Sequence, residues 1–417
     1  MSHDLEQDEL DRALATRSGL DVEKLSGHSL RPGFVPSAAE NRASISRIME
    51  VTRHRDPRTV ETYVRRGDRF KDRWRWLSVG GGRMPINEDR AQWRDGAIMM
   101  TVGTEDEGGV IELLPVGSAL YVIKEKATYV VKTADSIDPQ RKNAKIPHVN
   151  QLFMKAGAQD ELFIRTVLTA KVLFDKKQIN CPDAVLNALL DQVLLLASNL
   201  VAAQEIARDY ERDLTAAIAP GRKSSNGVLS LPAISGLENR VRSFHQKIEH
   251  SIQRLYRIWP AFYPQFPEER FFEGFAKNVA ETYGAEDGFT AFSAALGEFA
   301  RDVRDIRHCI EHEKRTQKLI VTDFSVTPDA EVMAPTIEVI HPQSPVPMVH
   351  IDHFMEGFLE NAVTSVDLLL AHLASKADRR HFGFDVIVAP VPKEEGRRWD
   401  SSYGYFAVGE DGLVPFG

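Results

Sequence analysis

Helical periodicity dominates the middle of the chain. Between 288 and 312, Phe292, Leu296, Phe299, Val303, Ile306 and Ile310 recur in steps of four and three, the spacing that lines one face of a helix with apolar side chains. The same reading predicts helices over 237–258, 267–283 and 352–375, the last with Phe354, Phe358, Val363, Val366, Leu370 and Leu373 turned inward. Pro182-Asp183 opens a longer amphipathic helix reaching Ala219, because a proline in the first turn lacks only an amide that a helix start leaves unbonded. A loop over 221–227 follows it.

The period changes elsewhere. The runs 97–102, 109–114, 119–123 and 128–131 are short, rich in β-branched residues and separated by Gly or Pro, which predicts a small antiparallel meander. A hairpin-like pair is expected at 319–326 and 336–340. The tail from 382 is rich in Gly and Pro, with one strand at Val386-Ile387-Val388. Near the start, short helices are predicted over 8–18, 44–49 and 58–69, with Ser44 as an N-cap. Gly80-Gly81-Gly82 marks the first boundary. The expected architecture is α+β, mostly α: a small helical segment (1–80), a β-rich segment (81–150), a helical bundle-like domain (151–380) and an irregular tail (381–417). No internal repeat is present.

Composition narrows the class. With 417 residues, 43% hydrophobic and 27% charged, the chain can bury a sizeable core. The most apolar stretch, 184–203, is interrupted by Asn187, Asp191, Gln192 and Asn199, so no membrane span is expected. The acidic start lacks the basic-then-apolar pattern of a secretory signal. Cys181 and Cys309 are the two cysteines, too few for a disulfide framework or a Cys-based zinc ribbon, and a cytoplasmic location is expected. No Gly-x-Gly-x-x-Gly turn or phosphate loop accompanies the strands, so a nucleotide cofactor has no motif to support it. No cofactor and no metal are expected.

Charge is unevenly spread. The formal net charge is −8, yet residues 41–80 hold ten Arg and one Lys against five carboxylates. Such an excess suits a polyanion, because cations that neutralise phosphates release condensed counterions. Equally, it describes a solvated helical face.

One constellation gives that stretch chemical meaning. His28-x-x-Arg31 stands in Gly27-His28-Ser29-Leu30-Arg31; His54 follows Arg31 by 23 positions, and Tyr63 follows His54 by nine. In order and interval these four residues resemble the last active-site positions of the tyrosine recombinase, or phage integrase, family. The surroundings are similar too: Gly33-Phe34, Ser37-Ala38-Ala39, Ile48-Met49 and His54-Arg55-Asp56 leading to Thr59-Val60. The resemblance implies that Tyr63 is a nucleophile forming a phosphotyrosyl link to DNA, that Arg31 clamps the non-bridging oxygens, and that His28 and His54 donate hydrogen bonds and move protons. The residue types suit that chemistry. A guanidinium is always charged and donates two parallel hydrogen bonds, whereas a phenol is a weak nucleophile until the site takes its proton. Arg53, Arg55, Arg58, Arg65 and Arg66 would then contact the DNA backbone, making duplex DNA the expected partner.

The pattern departs from the family in two ways. The family also uses an earlier Arg and a Lys on a β-hairpin; the 27 residues before His28 offer Arg12, Arg17 and Lys24 but no strand pair. Pro32 and Pro36 fall where a helix is expected to begin. Residues 1–80 are therefore expected to be a truncated or fused recombinase fragment, with strand exchange slowed by orders of magnitude when those groups are lost.

Beyond it, Arg307 and His312 in 304–312 fit the loose Arg-x(4–6)-His pattern of HEPN-type helical domains, some of them ribonucleases, with His308 where Asn is usual. RNA is the partner this alternative implies, and an oligomer or a pure interaction module is a further one. A cationic helix end that satisfies its own last carbonyls is the simpler reading. A zinc reading of His308 and His312 needs a third ligand such as His341, His350 or His353.

Overall fold

The computed structural model describes residues 101–140, 142, 148–218, 229–329, 331–378, 385–392, 401–409 and 412–416. The chain divides between Asn87 and Glu88, and every described residue lies C-terminal to that division. The helices expected over 8–18, 44–49 and 58–69 and the glycine boundary at 80–82 lie outside the described residues, as does most of the run 97–102.

Four strands, β1 (Val110–Val116), β2 (Ala119–Lys124), β3 (Thr128–Thr133) and β4 (His148–Met154), form an antiparallel sheet in that order. Gly117 turns β1 into β2 at φ +58°, a backbone region that costs glycine nothing and suits a two-residue hairpin. Successive β2 side chains face opposite sides. Tyr121 and Ile123 enter the main core, while Val122 joins Val102 and Val131 in a smaller cluster. Buried Lys124 places its ammonium 3.1 Å from Glu107 Oε2, and Tyr129 donates to Glu107 Oε1 at 2.7 Å. β4 departs from expectation. It is an edge strand with its first half largely exposed, so the apolar alternation that betrays a strand is missing.

Three helical turns follow without a break: Glu161–Phe163, a wider π turn at Ile164–Leu168, and Thr169–Leu173. Asp160 caps them, its Oδ1 accepting from the amides of Leu162 and Phe163. Then come α1 (Asp183–Ile218), α2 (Leu237–Tyr256), α3 (Phe272–Tyr283) and α4 (Gly288–Glu311), with α5 (Ile351–Lys376) nearer the end. All but α3 sit within a residue or two of expectation. The expected helix over 267–283 begins later because the preceding segment is held extended: Phe271 has φ −141°, and the Tyr256 hydroxyl donates to the carbonyl of Glu269. On α4, Leu296, Val303 and Ile306 are fully buried, while Phe292, Phe299 and Ile310 pack at the rim of the core. α5 is buried more widely than a single stripe, Ala362, Leu369 and Ala374 included, because it packs against α1, α2 and α4 together. By length and composition α1 could cross a membrane, a finding at odds with what its interrupting polar residues suggest. In this protein 44% of its most apolar stretch is buried.

The remaining strands form small antiparallel sheets. β5 (Lys318–Thr322) joins β8 (Thr336–Ile340) as expected, and β9 (Val346–His350) adds to β8's other edge. The short strands β6 (Ser325–Val326) and β7 (Val332–Met333) pair between them. The tail holds three strands rather than one: β10 (Val386–Pro390), β11 (Tyr403–Gly409) and β12 (Gly412–Pro415). It is anchored by Tyr405, whose buried hydroxyl donates to the carbonyl of Leu173 at 2.7 Å, and by the Ser402 amide, which donates to Thr169 Oγ1 at 2.9 Å. One cluster of buried residues runs from Leu114 to Tyr405. The β-rich, helical and tail segments that the sequence separates thus share a core, and the architecture is α+β.

Candidate functional site

The four residues that carry the recombinase pattern, His28, Arg31, His54 and Tyr63, lie outside the described residues, as do Arg53, Arg55, Arg58, Arg65 and Arg66. The structure describes the second candidate, the C-terminal end of α4. Arg307 sits between two carboxylates, with Nη1 2.5 Å from Glu249 Oε1 and Nε 3.0 Å from Glu311 Oε1. Glu249 is largely buried and also accepts from Gln253. The guanidinium is therefore engaged within the protein. His312 is the exposed C-cap of α4, its amide donating to the carbonyl of His308. The two imidazoles of His308 and His312 lie edge to face, 5.0 Å between ring centres. The carbonyl of Ile310 is satisfied from outside α4, by Arg242 of α2 at 2.9 Å, not by the helix's own terminal cations as the simpler reading supposed.

Beside this helix end lies a shallow groove of about 420 Å³ whose lining includes Arg304, Asp305, His308, Gln317 and His341. His341 is turned into the loop that follows β8. Its Nδ1 accepts from the amides of Gln343 and Ser344 at 3.3 and 3.1 Å, and the Ser344 hydroxyl donates to Asp305 at 2.9 Å. Among the described residues no group of three or more His, Cys, Asp or Glu is arranged to hold a metal ion. The three-ligand reading of His308 and His312 with His341, His350 or His353 accordingly finds no assembly.

Arg307→Ala is expected to lower stability by about 1–3 kcal/mol, because Glu249 keeps only a neutral partner in a buried position. Urea denaturation monitored by circular dichroism measures it, and a midpoint equal to that of the wild type would show Glu249 to be adequately solvated.

A buried carboxyl that the helices bring together with a cation, Asp367, carries no sequence signal of its own. Arg165, in the π turn, reaches α5: Nη1 donates to both oxygens of Glu360 at 2.9 and 3.0 Å, Nη2 to Thr364 Oγ1 at 2.7 Å, and Nε to Asp367 Oδ2 at 3.3 Å. Glu360, Thr364 and Asp367 are four and three residues apart, one face of α5. Burial pushes the Asp367 carboxyl up to about 6, although Arg165 and Ser402 pull it the other way. Its place, between the π turn, α5 and the base of the tail sheet, makes it a tie between elements distant in sequence.

Compared with known proteins, a short part of the chain is similar to a recombinase homologue. A stretch of 55 residues, 13% of this chain, is 44% identical to an integrase/recombinase XerD homologue from Selenomonas ruminantium. Part of this chain resembles a recombinase. The match spans 16% of that relative's length, so the relative's activity as a whole does not carry over by similarity. No family model matches the chain, and no solved structure matches it.

Proposed function

We propose that this protein acts on duplex DNA through a tyrosine-recombinase-type segment near its N-terminus. The observation that carries the reading is the likeness to an integrase/recombinase over 55 residues, taken with the intervals among His28, Arg31, His54 and Tyr63. In this reading the Tyr63 hydroxyl attacks a backbone phosphorus, a phosphotyrosyl bond forms, and the bond to one sugar oxygen breaks. The leaving oxygen takes up the proton that the phenol gives up, and His28 and His54 relay it in this reading. Arg31 holds the negative charge that builds on the non-bridging oxygens. Arg53, Arg55, Arg58, Arg65 and Arg66 supply the sequence-independent grip on phosphates.

The nucleophile and the grip are separable. Tyr63→Phe is expected to leave duplex affinity within about twofold of wild type, because one phenol hydroxyl adds little to a charge-driven interface. Any covalent adduct trapped on a nicked suicide duplex is expected to vanish with the same substitution. Gel-shift titration and denaturing electrophoresis read the two effects. An adduct surviving Tyr63→Phe overturns the assignment of the nucleophile, and a full chain that fails to bind duplex DNA at low salt overturns the reading as a whole.

A further inference from the structure

We propose that the groove between α1 and α2 is a site for the phosphate of a nucleotide-class ligand. The groove is about 350 Å³ in volume, with Ser198 and Asn199 on the α1 side and His250, Gln253, Arg254 and Arg257 on the α2 side. His250, Arg254 and Arg257 are four and three residues apart, so they form one stripe, beside the buried stripe of Ile248, Ile252 and Leu255 that seats α2 on the core. Packing thus brings three cationic or protonatable groups to the mouth of one cleft. Among the described residues no carboxylate lines it.

Arg165, Arg240, Arg242, Arg304 and Arg307 each rest against a carboxylate. Arg254 instead donates to a neutral partner, Gln192 Oε1, at 3.3 Å. Arg254 and Arg257 share with Arg270, Arg301 and Arg315 the lack of an ion pair with another described residue; what sets the two apart is the cleft they line together. Arg254 in the last turn of α2 and Arg257 at its C-cap also suit the helix dipole, but that effect needs neither a cleft nor a facing wall. The facing wall has its own character. Ser198 Oγ and Asn199 Nδ2 both donate to the carbonyl of Leu195, which leaves the hydroxyl oxygen and the amide oxygen free to accept. One wall therefore donates with positive charge and the other accepts. A phosphate fits the first through paired guanidinium hydrogen bonds, and a hydroxyl or amino group on the same ligand fits the second. Phosphate beside such groups is the chemistry of a nucleotide, free or within a strand.

Isothermal titration of the full chain in phosphate-free buffer with pyrophosphate, ADP and a single-stranded oligonucleotide tests the site. Arg254→Gln/Arg257→Gln is compared with Lys277→Gln, an exposed control on α3. The oligonucleotide is titrated in a background carrying Gln at Arg53, Arg55, Arg58, Arg65 and Arg66, so that the N-terminal cations do not contribute. Binding weakened about tenfold or more by the double substitution and unchanged by the control is expected. Binding of pyrophosphate and ADP identifies a free nucleotide as the ligand, and binding confined to the oligonucleotide identifies a strand. Should the double variant fail to fold, Arg257→Gln alone, an exposed position, carries the comparison with a smaller loss. Absence of binding by all three probes, or binding the substitutions leave unchanged, overturns the proposal.

Discussion

Replacing Arg165 by Met is expected to cost about 3–5 kcal/mol of folding free energy at pH 8, the range for a buried charge that loses its partner, and much less at pH 5. The difference comes from Asp367. Its side chain is 9% exposed and that of Arg165 18%, so the pair is largely withdrawn from water. In the folded protein burial raises the carboxyl to about 6 against an ordinary 3.8. A raised acid binds more protons folded than unfolded, so its contribution is fully present below about pH 4 and declines as pH rises to about 6. The span is worth about 3 kcal/mol. Without Arg165 the carboxyl rises further and stays protonated at pH 5, where little charge remains to be unpaired. At pH 8 the variant must either bury a lone carboxylate or hold its proton against the solvent. Urea denaturation of wild type and variant at the two pH values measures the effect. A deficit equal at both would place the cost in the packing of the arginine stem, and Asp367→Asn is expected to flatten the wild-type slope between pH 4 and 6.

This pair also marks the limit of what sequence shows. Arg165 and Asp367 are 202 positions apart, and Asp367 lies on a helix whose apolar stripe invites no search for a charge. The π turn that presents Arg165 has no signature in 164–168, where Ile, Val and Leu fit an ordinary helix or a strand alike. What was legible followed from strong local signals. The α4 stripe, the proline-led start of α1 and the glycine between β1 and β2 each state their structure within a few residues. β4 and β9 were not legible because edge strands are held mainly by backbone pairing: β4 pairs with β3 along His148–Met154, most of it exposed, and β9 carries Pro347 with Met348 facing solvent. The tail strands β11 and β12 were hidden among glycines, and it is the long-range bonds of Tyr405 and Ser402 to Leu173 and Thr169 that fix them. The nucleotide groove is of the same kind, since its two walls belong to separate helices and become a site only through packing. The recombinase pattern is the opposite case: spacing alone carries it, in a segment the described residues do not include.

Converting Arg53, Arg55, Arg58, Arg65 and Arg66 together to Gln is expected to lower duplex DNA affinity about a thousandfold near 100 mM salt, and to reduce the slope of log K against log salt by about four to five. The two numbers test one idea from different sides. Each phosphate contact releases close to one counterion, so five lost contacts must appear in the slope as well as in the affinity. A solvated helical face behaves differently: its arginines contribute only through the general field, which salt screens over about 8–10 Å, and the slope then changes by far less than the number of charges removed. The chain's overall charge of −8 sharpens the contrast, because repulsion from the acidic remainder must be overcome locally by residues at the DNA surface. Gel-shift or anisotropy titrations between 50 and 200 mM salt measure both quantities on the full chain. Because Tyr63 stands among these arginines, a large loss of affinity in the arginine variant beside an unaltered one in Tyr63→Phe places the grip and the nucleophile on one segment with separate roles. A loss of only a few-fold with an unchanged slope would return residues 53–66 to the status of a charged surface and leave the likeness to recombinases without a DNA-binding consequence in this chain.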